Sequence, residues 1–218
     1  MPSRFHVISG RAVRIGAAVG LGCVLMLTDV TGASDFASTP IMRVDQDWEA
    51  VLIEPGPDTC APQFHTVMSP FDSLEALALQ ADWNFREDPE FIPGGLQLLA
   101  FAGEDVVAAR SLREDPLSTV AETITWTQRM ATTGSWLRFE IVGNSTSWGA
   151  FGGSDTRLWG TTGVANLNAY RTDLSVGKSW VSYGANRVQL LRIREVRFYD
   201  GNNNLLSRDT TSHVVYQQ

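Results

Sequence analysis

Residues 122–152 constrain the fold of this chain more than any other stretch. They read ETITWTQRM, ATTG, SWLRFEIVGN and STSWGAFGG. Ile124, Trp126 and Met130 recur at even spacing, as do Leu137, Phe139 and Ile141. Between them Ala131-Thr-Thr-Gly134 supplies a short polar break with a glycine for the turn. The pattern predicts a long β-hairpin. Because side chains alternate across a strand, one face carries the apolar set and the other carries Thr123, Thr125, Thr127, Arg129, Trp136, Arg138 and Glu140. That second face is polar yet holds an indole beside an arginine and a carboxylate.

The chain opens with a basic front (Arg4, Arg11, Arg14), an apolar run from Ile15 to Leu27 and the small residues Thr31-Gly32-Ala33. These are the three parts of a secretory signal, so residues 1–33 are expected to be removed and the protein to be secreted, extracellular or periplasmic. The run is too short for a membrane span, and no integral membrane segment is expected after its removal. Residues 34–40 are small and polar and read as a flexible leader, leaving 41–218 as one domain with enough length for a substantial core.

The net charge is −7 over the whole chain and becomes more negative once the three signal arginines leave. Nucleic acid and anionic membranes are therefore poor partners. Lys178 is the single lysine among the basic residues. Cys23 leaves with the signal, so Cys60 has no intrachain partner; it is a free thiol or an interchain link in a proline-rich loop.

Strands are predicted at Trp48–Glu54, Gln63–Ser69, Leu74–Trp83, Leu96–Phe101, Val106–Ala109, Trp180–Tyr183, Leu205–Arg208 and Val214–Tyr216, with loops through 54–62 and 84–95. The region from Trp148 to Ser179 reads as long loops between short strands. In Arg187–Tyr199 the apolar parity set by Leu191 and Ile193 changes to that of Val196 and Phe198. One extra residue near Arg194-Glu195 repairs the phase, which predicts a β-bulge. Many short strands with turns between them argue for an all-β sandwich or barrel.

The segments WTQRM, WLRFEI and VQLLRIREVRFYDGNNNLL resemble the concanavalin A-like jelly rolls, which include laminin G-like modules, lectins and some glucanases. The terminal IREVRFY strand is also similar to the last strand of galactose-binding-type jelly rolls. The resemblance covers 41–218 at the level of architecture and implies an antiparallel jelly-roll β-sandwich.

Glucanases of the resembled superfamily carry an E-x-D-x-(x)-E run that sets two carboxylates about 5 Å apart, and this chain has none. Glu122 and Glu140 are the pair that could meet across the hairpin. His65 and His213, the histidines left after signal removal, lack the neighbours of a zinc signature or a readable triad. Asp200, Asn202 and Asn204 alternate as calcium ligands do, but the glycine and glutamate of an EF-hand are missing, so a calcium site there would be of a different type and a turn is the simpler reading. Asn144-Ser145-Thr146 is an N-glycosylation sequon.

Trp48, Trp83 and Trp126 lie in strand patterns and are expected in the core. Exposed indoles stack on sugar rings while arginine and carboxylate groups bond the hydroxyls. The predicted ligand-binding residues are accordingly Trp136, Arg138, Glu140, Arg129, Trp148 and Trp159, with a glycan or cell-surface polymer as partner and no catalytic or metal residue. The expected function is a secreted, non-catalytic carbohydrate-binding or adhesive module. The alternatives are a polysaccharide-active hydrolase or lyase using the Arg138/Glu140 face, and a structural or assembly protein of the cell surface.

Overall fold

A computed structural model describes residues 39–53, 63–84, 95–111, 117, 119–153 and 156–218. The expected signal segment at 1–33, most of the expected leader and Cys60 lie outside the described residues, as does most of the loop predicted at 84–95.

Two antiparallel sheets face each other. The first has the order β12(Leu205–Asp209), β11(Val188–Tyr199), β1(Arg43–Leu52), β6(Glu122–Thr132), β7(Trp136–Ser145), β8(Gly149–Phe151). In it β13(His213–Gln217) also pairs with β11, and β9(Arg157–Thr161) with β7. The second sheet runs β10(Trp180–Tyr183), β2(Gln63–Met68), β3(Ala78–Trp83), β4(Leu96–Ala102), β5(Asp105–Ser111). The chain is thus an all-β sandwich, as the alternating patterns predict.

The predicted hairpin is β6 and β7, joined by a turn in which Gly134 takes a φ of +85° that glycine adopts without strain. The predicted bulge is also present: Asp47 pairs with Glu195 and Trp48 with Ile193, so Arg194 is the extra residue.

Three elements depart from the sequence reading. Strand β1 begins at Arg43, five residues before the predicted start, because the inward position preceding Trp48 is Gln46, a polar residue that breaks the alternation. The stretch predicted as strand from Leu74 is extended only from Ala78. The segment before Ser179 contains a helix, α1(Thr172–Lys178). Its seven residues include Gly177 and too few turns to show an apolar stripe.

Trp48, Trp83 and Trp126 occupy the core as expected, at 1%, 0% and 3% exposure. Trp48 and Trp126 are cross-strand partners stacked at 5.7 Å, and Trp83 from the second sheet meets Trp126 at 4.3 Å. Phe64 packs on both Trp83 and Trp126, which ties the two sheets through one ring cluster.

Inward glutamines are accommodated by hydrogen bonds. Gln46 accepts from the Trp48 indole at 3.0 Å and donates to the Tyr170 hydroxyl at 2.6 Å. Thr66 receives the Trp83 indole N–H at 3.2 Å and donates to Gln128 at 2.7 Å. Burial pushes the Tyr170 phenol pKa up. Between the unfolded value of about 10 and the higher folded one, the unfolded chain releases a proton that the folded chain keeps. This stabilising contribution is complete below that window and lost as pH rises through it. Tyr170→Phe is expected to cost about 1–3 kcal/mol at neutral pH, because the Gln46 amide loses its acceptor. In urea denaturation the gap between the two proteins should narrow at alkaline pH; a gap independent of pH would contradict this account.

Candidate functional site

The outer face of the first sheet is built by the strand parity that buries Trp126. Along β1 the outward residues are Asp45, Asp47 and Glu49, and each meets an arginine from a neighbouring strand. Arg129 on β6 reaches Asp45 through Nε at 2.8 Å and Nη2 at 2.9 Å. Arg197 and Arg192 on β11 bond Asp47 and Glu49. Hydrogen bonding to Asp45, which is 1% exposed, holds the Arg129 guanidinium pKa above its usual value. The Arg129 contact is a true fork, two parallel donors on two carboxylate oxygens, a geometry that a guanidinium supplies and an ammonium does not.

At the β7 and β9 edge the face changes character. Trp136 is 44% exposed and its ring lies 4.7 Å from that of Trp159 on β9. Arg138 stands directly opposite Trp159 in the ladder. Together with Arg43, Arg157 and Asn203, these residues line a groove of about 510 Å³. Arg43 lies over the Tyr199 ring at 3.6 Å and donates to Asn203 at 2.8 Å, which fixes the groove's far wall. A ring platform beside guanidinium donors can stack an apolar ring face and bond the oxygens around its rim.

Of the predicted ligand-binding residues, the structure brings Trp136, Trp159 and Arg138 together in this groove. Glu140 shares their face but is only 6% exposed, flanked by Arg138 and Arg157 at 3.4 Å and opposite Arg129 in the ladder. Its carboxylate orients the arginines. Arg129 is committed to Asp45. Trp148 is a core residue at 8% exposure, parallel to Trp83 and edge-on to Phe151; it folds inward because Ser145 accepts its backbone N–H at the turn. No sequence pattern marks Arg43, Arg157 and Asn203, since their approach depends on β1, β9 and the 200–204 turn meeting at one end of the sheet.

Glu122 and Glu140 do not meet. Glu122 points inward, fully buried, and accepts hydrogen bonds from Ser147 and the Thr119 N–H. The two carboxylates lie on opposite faces of the sheet, so this pair cannot flank one glycosidic bond. At Asp200, Asn202 and Asn204, where a turn is the simpler expectation and calcium the alternative, the Asp200 carboxylate accepts from the backbone of Asn202 and Asn204 and from the Asn204 side chain, the arrangement of a turn. These bonds, led by the Asn204 side chain, lower the Asp200 pKa. Among the described residues no group of three or more His, Cys, Asp or Glu side chains is placed to hold a metal ion.

The second sheet holds an arrangement the sequence did not reveal. His65 on β2 faces away from the tryptophan cluster, and its Nδ1 lies 2.6 Å from Asp82 Oδ1 on β3, its pairing partner. Its Nε2 lies 2.8 Å from the Ser182 hydroxyl on β10. That hydroxyl is 3.3 Å from the Gln63 carbonyl oxygen, the longer of its two contacts. The Gln80 amide donates to Asp82 at 2.6 Å, and Trp180 stacks on the imidazole at 4.3 Å. His65 and Asp82 are 6% and 2% exposed, while Ser182 is exposed. Nothing local links these residues: Ser182 is 117 positions from His65 and joins it only through sheet register.

No family model and no curated protein sequence matches this chain. No helix among the described residues is long and apolar enough to cross a membrane.

Proposed function

We propose that this protein is a secreted carbohydrate-binding β-sandwich of the jelly-roll kind, akin to the concanavalin A-like proteins it resembles, and that the Trp136/Trp159 groove holds a glycan of a cell-surface or extracellular polymer. The observation that carries this reading is the adjacent indole pair, Trp136 exposed and Trp159 half-buried, with Arg138 beside it. The groove volume falls within the range of small-ligand sites. Two indoles fixed by strand pairing lose little entropy on binding, and the surrounding arginines supply donors that hydroxyl or carboxylate oxygens accept.

Polysaccharide pull-down followed by titration tests the reading. The protein should be retained on at least one polysaccharide, and Trp136→Ala should weaken that binding by about 1–3 kcal/mol while leaving the melting temperature nearly unchanged. A folded protein that binds nothing across neutral and acidic polysaccharides would overturn it. If its mass in light scattering instead rises with concentration and Trp136→Ala abolishes that rise, the face joins neighbouring chains, as in an assembly protein.

A further inference from the structure

We propose that Ser182 is a nucleophile toward carboxylic esters, with His65 as its general base and Asp82 as the residue that positions the imidazole. The inference is independent of the glycan groove, which lies on the other sheet.

The order of contacts fits this role. The Asp82 carboxylate can only accept, so the proton between it and His65 belongs to Nδ1. Nε2 of the neutral ring is then the acceptor that faces the Ser182 hydroxyl at 2.8 Å. Gln80 donates to the same oxygen, Asp82 Oδ1, with its amide nitrogen 3.4 Å from Nδ1, and Trp180 packs against the ring face, so the imidazole is restrained both in its plane and across it. Ser182 itself is the extra residue of a bulge: Val181 pairs with Phe64 and Tyr183 with Gln63. Bulges on edge strands re-aim side chains, and β10 is such an edge. The buried base and positioning carboxylate thus end at an exposed hydroxyl, with Trp180 at 44% and Tyr183 at 52% exposure on either side. Those rings offer apolar contact to an ester approaching from solvent.

In the first step Ser182 Oγ bonds to the ester carbonyl carbon as its proton passes to His65 Nε2. The tetrahedral centre collapses by breaking the bond to the alcohol oxygen, which takes that proton and leaves. Water then adds to the acyl carbon, giving a proton to Nε2. Collapse expels Ser182 Oγ, which recovers the proton, and releases the acid.

Treating the full-length protein with a fluorophosphonate-biotin probe and mapping the modified peptide tests this directly, because the activated oxygen displaces fluoride and stays phosphonylated. The expected result is a single label on Ser182 and p-nitrophenyl acetate hydrolysis above buffer. Both should fall by roughly 100-fold or more in Ser182→Ala. Asp82→Asn should lower the rate by a similar factor and give a pH profile that climbs into the alkaline range, a change that a purely structural role would not produce. Ser182 is exposed, so Ser182→Ala should fold even if changes at His65 or Asp82 do not. No label on protein shown to be folded by circular dichroism, or the same label on Ser182→Ala, would overturn the proposal.

Discussion

Trp126→Ala is expected to destabilise the folded chain by about 3–5 kcal/mol, the scale for deleting a buried large aromatic. The indole is 3% exposed and touches three other rings: Trp48 beside it in the sheet, and Trp83 and Phe64 from the facing sheet. Its removal leaves a void between rigid aromatic planes, which cannot collapse without moving both sheets. Trp136→Ala, on the opposite face of the same hairpin, removes a ring that already meets solvent and should cost far less stability. Chemical denaturation of the two variants measures the contrast. Equal losses would mean that the outer face is covered too and would withdraw it as a binding surface.

Gly143→Ala is expected to cost about 1–3 kcal/mol or more, although alanine in place of glycine at a compatible site usually stabilises by about 0.4–1 kcal/mol through the unfolded chain. Gly143 pairs with Trp126 on one side and Phe151 on the other. A Cβ there would lie 2.5 Å from the Thr125 carbonyl oxygen, 2.6 Å from the Phe151 ring and 2.6 Å from Trp126 Cβ. Two of those atoms belong to the paired strand at or next to its backbone, so relief requires the ladder itself to shift. The missing side chain is what lets the aromatic cluster close over β7. A Gly143→Ala protein as stable as the parent in denaturant would show that the ladder yields readily and would contradict this packing.

The parts of the molecule legible in the sequence are those where one face of a strand is uniformly apolar. The β6/β7 hairpin is of this kind, and so is the bulge at Arg194, because a phase change in an apolar stripe is visible without coordinates. The first half of β1 was hidden by Gln46, a polar residue whose burial depends on Tyr170, 124 positions away. Trp148 looked like a surface residue because it follows a polar turn, and only the turn's hydrogen bonding aims it inward. Strand parity gives the face of Glu140 but not its depth, since its burial comes from Arg129, Arg138 and Arg157 around it. The Ser182, His65 and Asp82 row was illegible for a stronger reason: three strands must pair in one register before any of its atoms approach.

The proposed binding face is tested most directly by following the indole N–H resonances of the tryptophans in ¹⁵N-labelled protein during titration with fragments of any polysaccharide that retains the protein. The groove predicts that the signals of Trp136 and Trp159 move together and saturate, while those of Trp48, Trp83, Trp126 and Trp148 stay in place. Shifts confined to Trp180, or spread over the core tryptophans with Trp136 unmoved, would contradict it.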